Sequence, residues 1–325
     1  MTFEDIGVVV IGRNEGQRLI DCLITVQSAR CDVVYVDSGS ADGSEAAARR
    51  MGVTVVELDA NRPFTAARGR NEGFVALRAL NPNIRFVQFI DGDCSLVPGW
   101  LEKARRFIAP KSDVGVVCGR RRERHPGASV YNQICDIEWD TPIGETSACG
   151  GDALVRAEAF GAVDGFRDEL IAGEEPELCL RLREKGWRIW RLDAEMTQHD
   201  AAMKRFRQWW ARAVRSGYGM TEVVSLHWHS PLLIWRKELA RAVLWSFVLP
   251  VVLCLSALIH PVVLIALLIY PFQVCRIAIW RGPTSLRFWA YAFFLTVGKF
   301  AELQGILRFL WCRFRRNSIQ LIEYK

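Results

Sequence analysis

None of the ten cysteines stands in a CxxC pair; they lie scattered from Cys22 to Cys312. That spacing argues against a zinc site and a disulfide framework, and it predicts a reducing, cytosolic setting for the main domain. A dinucleotide fingerprint is also missing. The first glycine-bearing turn, Gly12-Arg13-Asn14-Glu15-Gly16, lacks the GxGxxG spacing that lets backbone approach a pyrophosphate. No nucleic-acid motif is visible, so the net charge of +6 calls for another kind of partner. No secretory leader pattern opens the sequence: Met1 to Asp5 run straight into a strand-like segment. Up to about Leu226 there is also no long uncharged apolar run, although half of the 325 residues are hydrophobic.

The apolar excess, with a mean hydropathy of +0.09, is therefore concentrated from Leu232 onward. Positive charge is equally uneven, gathering at Arg120 to Arg124, at Lys204 to Arg215 and through the C-terminal region. Such clusters suit an anionic membrane surface or phosphorylated ligands.

Before Leu226 the chain alternates two patterns. Ile6–Ile11, Val33–Val36, Val53–Leu58, Phe86–Ile90 and Val114–Cys118 are short apolar runs of the kind buried on both faces of a parallel sheet. Helix-forming stretches separate them, over about Gln17–Ala29, Ala46–Met51 and Arg68–Leu80. The alternation predicts an α/β fold with an open, mostly parallel sheet and a ligand outside the strands' carboxyl ends. The run Phe86–Ile90 ends in Asp91-Gly92-Asp93, two carboxylates one residue apart. They can aim oxygens at one hard cation whose remaining positions suit phosphate oxygens and water. The first turn offers Arg13, Asn14 and Glu15, side chains suited to a base and ribose. The run Arg120-Arg121-Arg122-Glu123-Arg124 reads as a solvated face, or as a site for an anionic acceptor or lipid headgroups.

VVVIGRNEG, VDSGSADGS, ARGRNEG and FIDGDC, in this order, resemble the nucleotide-sugar half of a family-2 glycosyltransferase with the GT-A fold. The resemblance runs from about Val8 to Asp200. It implies a donor-binding set of Glu15, Asp37, Asp42, Asp91, Gly151 and Asp152, with Arg13 beside them in the first turn. Asp37 and Asp42 also suit turn and helix N-cap duty, and Arg68 and Arg70 read either as contacts to the diphosphate or as solvated helix charges. It implies a divalent metal, Mg²⁺ or Mn²⁺, on Asp91 and Asp93, with His199 after the next strand as a further ligand. Cys149-Gly150-Gly151-Asp152-Ala153-Leu154 is similar to the family's GGNALF-like segment, with Asp152 where Asn is usual. Where the family has a Glu-Asp pair before a DLxxRL helix, this chain reads Glu174-Glu175-Pro176-Glu177. Glu175 is thereby the expected catalytic base, with Glu174 the alternative base one residue earlier. The same acids in a first helical turn also oppose the helix dipole favourably. A Trp- and Arg-rich segment from Lys204 to Arg215 is expected to form a helix, as a lid over diphosphate or an element at the membrane interface.

Ala242 to Ile259 and Val262 to Cys275 carry no charge and are broken at His260-Pro261. With Arg236, Lys237 and Arg241 before them and Arg276, Arg281 and Arg287 after, they predict a hairpin over 242–275 with both outer ends cytoplasmic. A third apolar stretch, 288–312, is interrupted by Lys299, Glu302 and Arg308. It predicts an interfacial amphipathic helix, with Arg313, Arg315 and Arg316 against headgroups. The expected organisation is thus a GT-A domain over 1–225 and a membrane-associated helical region over 226–325. The expected enzyme works at the inner (cytoplasmic) membrane, its catalytic domain in the cytosol. It moves a sugar, with inversion, from a nucleotide diphosphate sugar to a lipid-linked or glycan acceptor in exopolysaccharide or envelope glycan synthesis. The alternatives are a polyprenyl-phosphate glycosyl synthase, whose phosphate nucleophile needs no base, and an inactive scaffold.

Overall fold

Ile6–Gly12 (β1) buries six residues in succession, which only a strand flanked on both faces can do. In the computed structural model, which describes residues 3–315, this strand pairs in parallel with Asp32–Asp37 (β2) and Phe86–Asp91 (β4), and β2 pairs in parallel with Thr54–Glu57 (β3). Beyond β4 the sheet becomes mixed. Ala153–Arg156 (β8) runs antiparallel to β4 and to Val114–Glu123 (β6). Arg188–His199 (β9) is parallel to β6 and antiparallel to both Cys94–Leu96 (β5) and Gly144–Thr146 (β7). The strand order is β3-β2-β1-β4-β8-β6-β9-β5, with β7 on β9. The parallel pairing predicted for the sheet therefore holds across its first half. Both β6 and β9 run several residues past their expected ends, because their polar tails find ladder partners in each other and in β5.

The helices pack closely on this sheet. In Ala66–Leu80, begun by the Thr65 hydroxyl accepting from Arg68 N, a Cβ on Gly73 would stand 2.3 Å from Val9. The ten cysteines are free thiols; Cys149 and Cys179 touch at 3.5 Å between sulfurs.

The described chain forms two compact units. One takes in the chain up to His125 together with Glu138–Ala201; the other takes in Pro126–Ile137 and the chain from Ala202 on. Phe206–Leu226, which the sequence reading placed in the first domain, lies in the second unit. Its tryptophans are used in that unit's packing: Trp209 against Phe294, and Trp210 donating to Gln304.

Two helices of the second unit, Arg236–Ala257 and Pro261–Arg281, are long and apolar enough to cross a membrane. Little of either is buried, unlike the core helix of a soluble protein. The first runs through Pro250 by widening to a π-helical stretch at Leu244–Val248, the usual accommodation of a missing N–H. Leu286–Arg315 is one helix, and its interrupting charges Lys299 and Glu302 pair with each other at 2.8 Å. Arg316 lies outside the described residues.

Helix Leu286–Arg315 meets Phe206–Leu226 backbone to backbone. A Cβ on Gly217 would stand 2.2 Å from the Glu302 carbonyl oxygen, and one on Gly305 would stand 2.1 Å from that of Val214. Alanine ordinarily stabilises a helix over glycine by about 1 kcal/mol. Here the clash is with rigid backbone, and overpacking costs about 1–3 kcal/mol or more. Gly305→Ala is therefore expected to lower the melting temperature by several degrees, whereas Gly298→Ala, whose nearest contact would be Trp209 at 3.5 Å, should not. Differential scanning fluorimetry of both variants checks the pair.

Candidate active site

Register assembles the site. Gly12 pairs with Asp37 and Ile11 with Asp91, so the turns leaving β1, β2 and β4 open side by side at the strands' carboxyl ends. His199 ends β9 opposite Cys94 of β5 on one side and Glu123 of β6 on the other, which brings the imidazole beside Asp93. Thr197, two residues earlier on the same face, meets Asp152.

Asp93 and His199 are both buried, with Oδ2 and Nε2 3.3 Å apart. Burial opposes charge on His199, but Asp93 and Glu123 outweigh it and hold its pKa above the ordinary value. Asp91 accepts from two guanidinium groups, Arg70 at 2.9 Å and Arg121 at 3.2 Å. Burial would raise its carboxyl, yet Arg70 and then Arg121 keep it below the usual range. Gly92 does not adopt a left-handed conformation. Glycine suits the position because a Cβ would stand 3.1 Å from the Ile11 carbonyl oxygen, a tight contact with backbone.

Arg70, itself 2 % exposed, also pairs with Glu174 and with Glu175, each at 3.1 Å. These two glutamates open helix Glu174–Glu184 after Gly173, whose φ of +81° favours glycine, and Pro176 sits in the first turn, where no N–H is needed. Burial and the neighbouring Glu174 push the Glu175 carboxyl up to about 7, against the pull of Arg70. Glu177 is a structural residue: it is buried and clasped by Arg167 and Arg181.

Six carboxylates (Asp91, Asp93, Glu123, Asp152, Glu174 and Glu175) thus gather around two guanidiniums and one imidazole. Such an acidic surplus favours a cation. The Asp93–His199 separation is close to that of adjacent ligands on one octahedral ion, whose bonds of about 2.1 Å set them about 3 Å apart. Oxygen donors with one imidazole suit Mg²⁺ or Mn²⁺. The residues fit the metal that the sequence implied.

Several other residues have placements that change their reading. Arg68 does not join the site; its guanidinium donates to the carbonyls of Asp59, Arg62 and Pro63. Asp152 is wholly buried, so it has no open face toward a donor sugar. It accepts instead from Asp91 N at 3.1 Å, Arg121 at 2.9 Å and the Thr197 hydroxyl at 2.6 Å, which fixes the strand end that carries Asp91. Gly151 passes so close that a Cβ would stand within 3.1 Å of Arg70, Asp91 and Arg121.

At the nucleoside end, Asp37 is buried and accepts from the Tyr35 and Ser40 hydroxyls and from Ser40 N. Asp42 is exposed and accepts from Ser44 N, and hydrogen bonds from Ser44 hold its carboxyl below the usual range. Asn14 ties the first turn to the second by accepting from Ala41 N. Glu15 pairs with Arg18 at 2.6 Å, and exposed Arg13 lies over the Phe64 ring. Asp37 and Asp42 therefore shape their own turns, while Arg13 presents its side chain outward.

The sequence reading missed Arg121, Glu123 and Trp139. In the basic run, Arg122 is a solvated residue paired with Glu195, and Arg124 reaches Asp21, but Arg121 and Glu123 turn inward. The signal was period two: once β6 continues past Gly119, residues 121 and 123 share a face. Trp139 stands with its ring edge-on to His199 and beneath the Arg121 guanidinium. No pattern in the sequence marked it.

The mixed α/β sheet is that of the GT-A fold. The model of Glycosyl transferase family 2 matches residues 7–148, and that of Glycosyl transferase family group 2 matches residues 86–297. The chain belongs to the family-2 glycosyltransferases. It is 24 % identical over 203 residues to glycosyltransferase AglE of Haloferax volcanii, covering 58 % of this chain and 64 % of that one. It is 27 % identical over 225 residues to the pre-mycofactocin glycosyltransferase of Mycobacterium tuberculosis, covering 64 % of this chain and 45 % of that one. The chain thus spans less than two thirds of these relatives' length. The solved structure of the mannosyltransferase PcManGT from Pyrobaculum calidifontis, in complex with GDP-Man and Mn²⁺, shares the fold. Its TM-score is 0.66 at 18 % identity, with 94 % of this chain and 87 % of that one covered.

Proposed function

We propose that this chain transfers a glycosyl group, with inversion, from a nucleotide diphosphate sugar to an acceptor hydroxyl, aided by Mg²⁺ or Mn²⁺. The observation that carries the proposal is one buried arginine, Arg70, tying Asp91 of the metal motif to Glu175 at the head of the helix. Asp93 and His199 would hold the ion, with Asp91 across Gly92. The bound ion supplies charge neutralisation for the departing diphosphate. Arg121 and Arg70 keep Asp91 ionised and fixed. Glu175, with a pKa near working pH, takes the acceptor's hydroxyl proton. With Glu175 as base, the acceptor oxygen displaces the diphosphate at the sugar carbon directly, a single displacement that inverts it. The relative bound to GDP-Man and Mn²⁺ supports a donor of this class.

The two long apolar helices support a membrane setting, and with it a lipid-linked acceptor of exopolysaccharide or envelope glycan type. The flanking Arg236, Lys237 and Arg241, and Arg276, Arg281 and Arg287, favour a cytosolic catalytic side at the inner membrane.

Thermal shift with a panel of nucleotide sugars and Mn²⁺ tests the donor half of the proposal. One donor is expected to stabilise the wild type in a metal-dependent way, and Asp93→Ala should lose that stabilisation. A shift that is the same in the variant would remove Asp93 from the metal site. The absence of any metal-dependent shift would favour the inactive scaffold.

A further inference from the structure

Resting on the reading of His199 as a metal ligand, we infer that Glu123 and Trp139 are positioning residues that pre-set its imidazole for the ion. Glu123 and His199 are direct partners on the parallel strands β6 and β9, so their side chains leave the sheet on the same face. The Glu123 side chain is fully buried. Its carboxylate is held in place by two backbone donors, His125 N to Oε1 and Ala201 N to Oε2, each at 3.0 Å. Across from it stands His199 Nδ1, 3.9 Å from Oε2, while Nε2 faces Asp93 at 3.3 Å. The longer gap exceeds a hydrogen bond and leaves a charge–dipole contact.

A neutral imidazole carries one N–H. Each ring nitrogen faces a buried carboxylate, Nε2 toward Asp93 and Nδ1 toward Glu123; an ion held between Asp93 and Nε2 would take that lone pair and leave the N–H on Nδ1, facing Glu123. Trp139 fixes the remaining freedom. Its ring meets the imidazole edge-on at 4.8 Å and 73°, blocking rotation about the Cβ–Cγ bond, and the Arg121 guanidinium lies 5.6 Å over the same indole. Arg121 in turn holds Asp91 and Asp152, so the two halves of the metal motif share one wall. Partners of this kind orient a metal-bound histidine, and their loss typically costs about 10–100-fold in metal affinity.

The test uses the full chain in detergent, with two readouts. The first is Mn²⁺ affinity, from the electron paramagnetic resonance signal of the free ion. Glu123→Gln is expected to weaken binding about 10–100-fold. Trp139→Ala, which leaves Glu123 and its backbone donors intact, should weaken it several-fold, and Trp139→Phe should restore most of that. The second is the tautomer of His199, read by ¹⁵N NMR of the five histidines in alkaline buffer with and without Mg²⁺. Saturating Mg²⁺ is expected to place the wild-type proton on Nδ1, and Glu123→Gln should need about 10–100-fold more Mg²⁺ to reach that state. A wild-type proton that stays on Nε2 at saturating Mg²⁺ overturns the inference, as does Mn²⁺ affinity unchanged in both Glu123→Gln and Trp139→Ala. A wild type that binds neither ion, with a metal-free tautomer that Glu123→Gln still changes, would overturn the metal reading while upholding the orientation of the ring.

Discussion

Glu175→Gln is expected to lower kcat by about 10²–10⁴-fold, the usual contribution of a positioned base, with no loss of melting temperature at pH 8. The second half of this result separates a catalytic carboxylate from a structural one. Arg70 keeps Asp91 and Glu174 as partners when the Glu175 charge is removed, so no buried cation is left alone. Glu175 itself is held in an unfavourable state when ionised, since burial and Glu174 push its carboxyl from 4.5 to about 7. Between those values the folded protein binds more proton at this group than the unfolded chain does. Stability therefore falls as pH rises through the window, and the full cost is present above about 7. Glutamine removes that cost. Activity should show the matching limb: kcat declines below about pH 7 in the wild type, and the residual rate of the variant loses this dependence. Rate–pH profiles together with melting curves check both. Near wild-type activity in Glu175→Gln would point instead to a nucleophile that needs no base, such as the phosphate of a polyprenyl phosphate.

Arg70→Ala carries the largest expected stability effect. The guanidinium is nearly inaccessible and pairs with Asp91, Glu174 and Glu175 together. Removing one partner of a buried ion pair costs about 3–5 kcal/mol. At about 2–4 °C per kcal/mol for a domain of this size, the melting temperature should drop by roughly 6–20 °C. The deficit should shrink as pH is lowered, because three carboxylates without their cation take up protons more readily in the folded state than in the unfolded one. Arg70→Lys should recover only part of the loss, since a single ammonium cannot replace a fork that reaches three acceptors. A deficit that does not change with pH would assign the loss to packing rather than charge.

The parallel half of the sheet and the aspartate pair were legible because their signal is local: an uninterrupted apolar run that ends in two carboxylates. The readings of His199 and Glu175 came with the family resemblance, since local pattern alone does not separate a metal ligand from a structural histidine, or a base from an acid that opposes the helix dipole. The errors have common causes. Arg68 and Arg70 carry the same signal in the sequence, yet residues two apart on a helix point to opposite sides, and only Arg70 turns to the site. Arg121 and Glu123 lay in a run whose charge reads as solvated. Their inward direction depends on β6 continuing past Gly119, which is fixed by pairing to β9 and invisible to local propensity. Asp152 has the right chemistry for a ligand contact, but it lies beneath the surface that a ligand touches.

Asp152 also ties together what evolution can vary. Its two oxygens serve a backbone N–H, a guanidinium and a hydroxyl drawn from three different strands. Asparagine in its place would keep an oxygen for Asp91 N and could turn its amide toward Thr197, whose hydroxyl can accept as well as donate. What asparagine cannot supply is the negative charge beside Arg121. The two positions should therefore change together among related chains. Those with asparagine at the first are free to carry an uncharged residue at the second, while those with aspartate keep the cation.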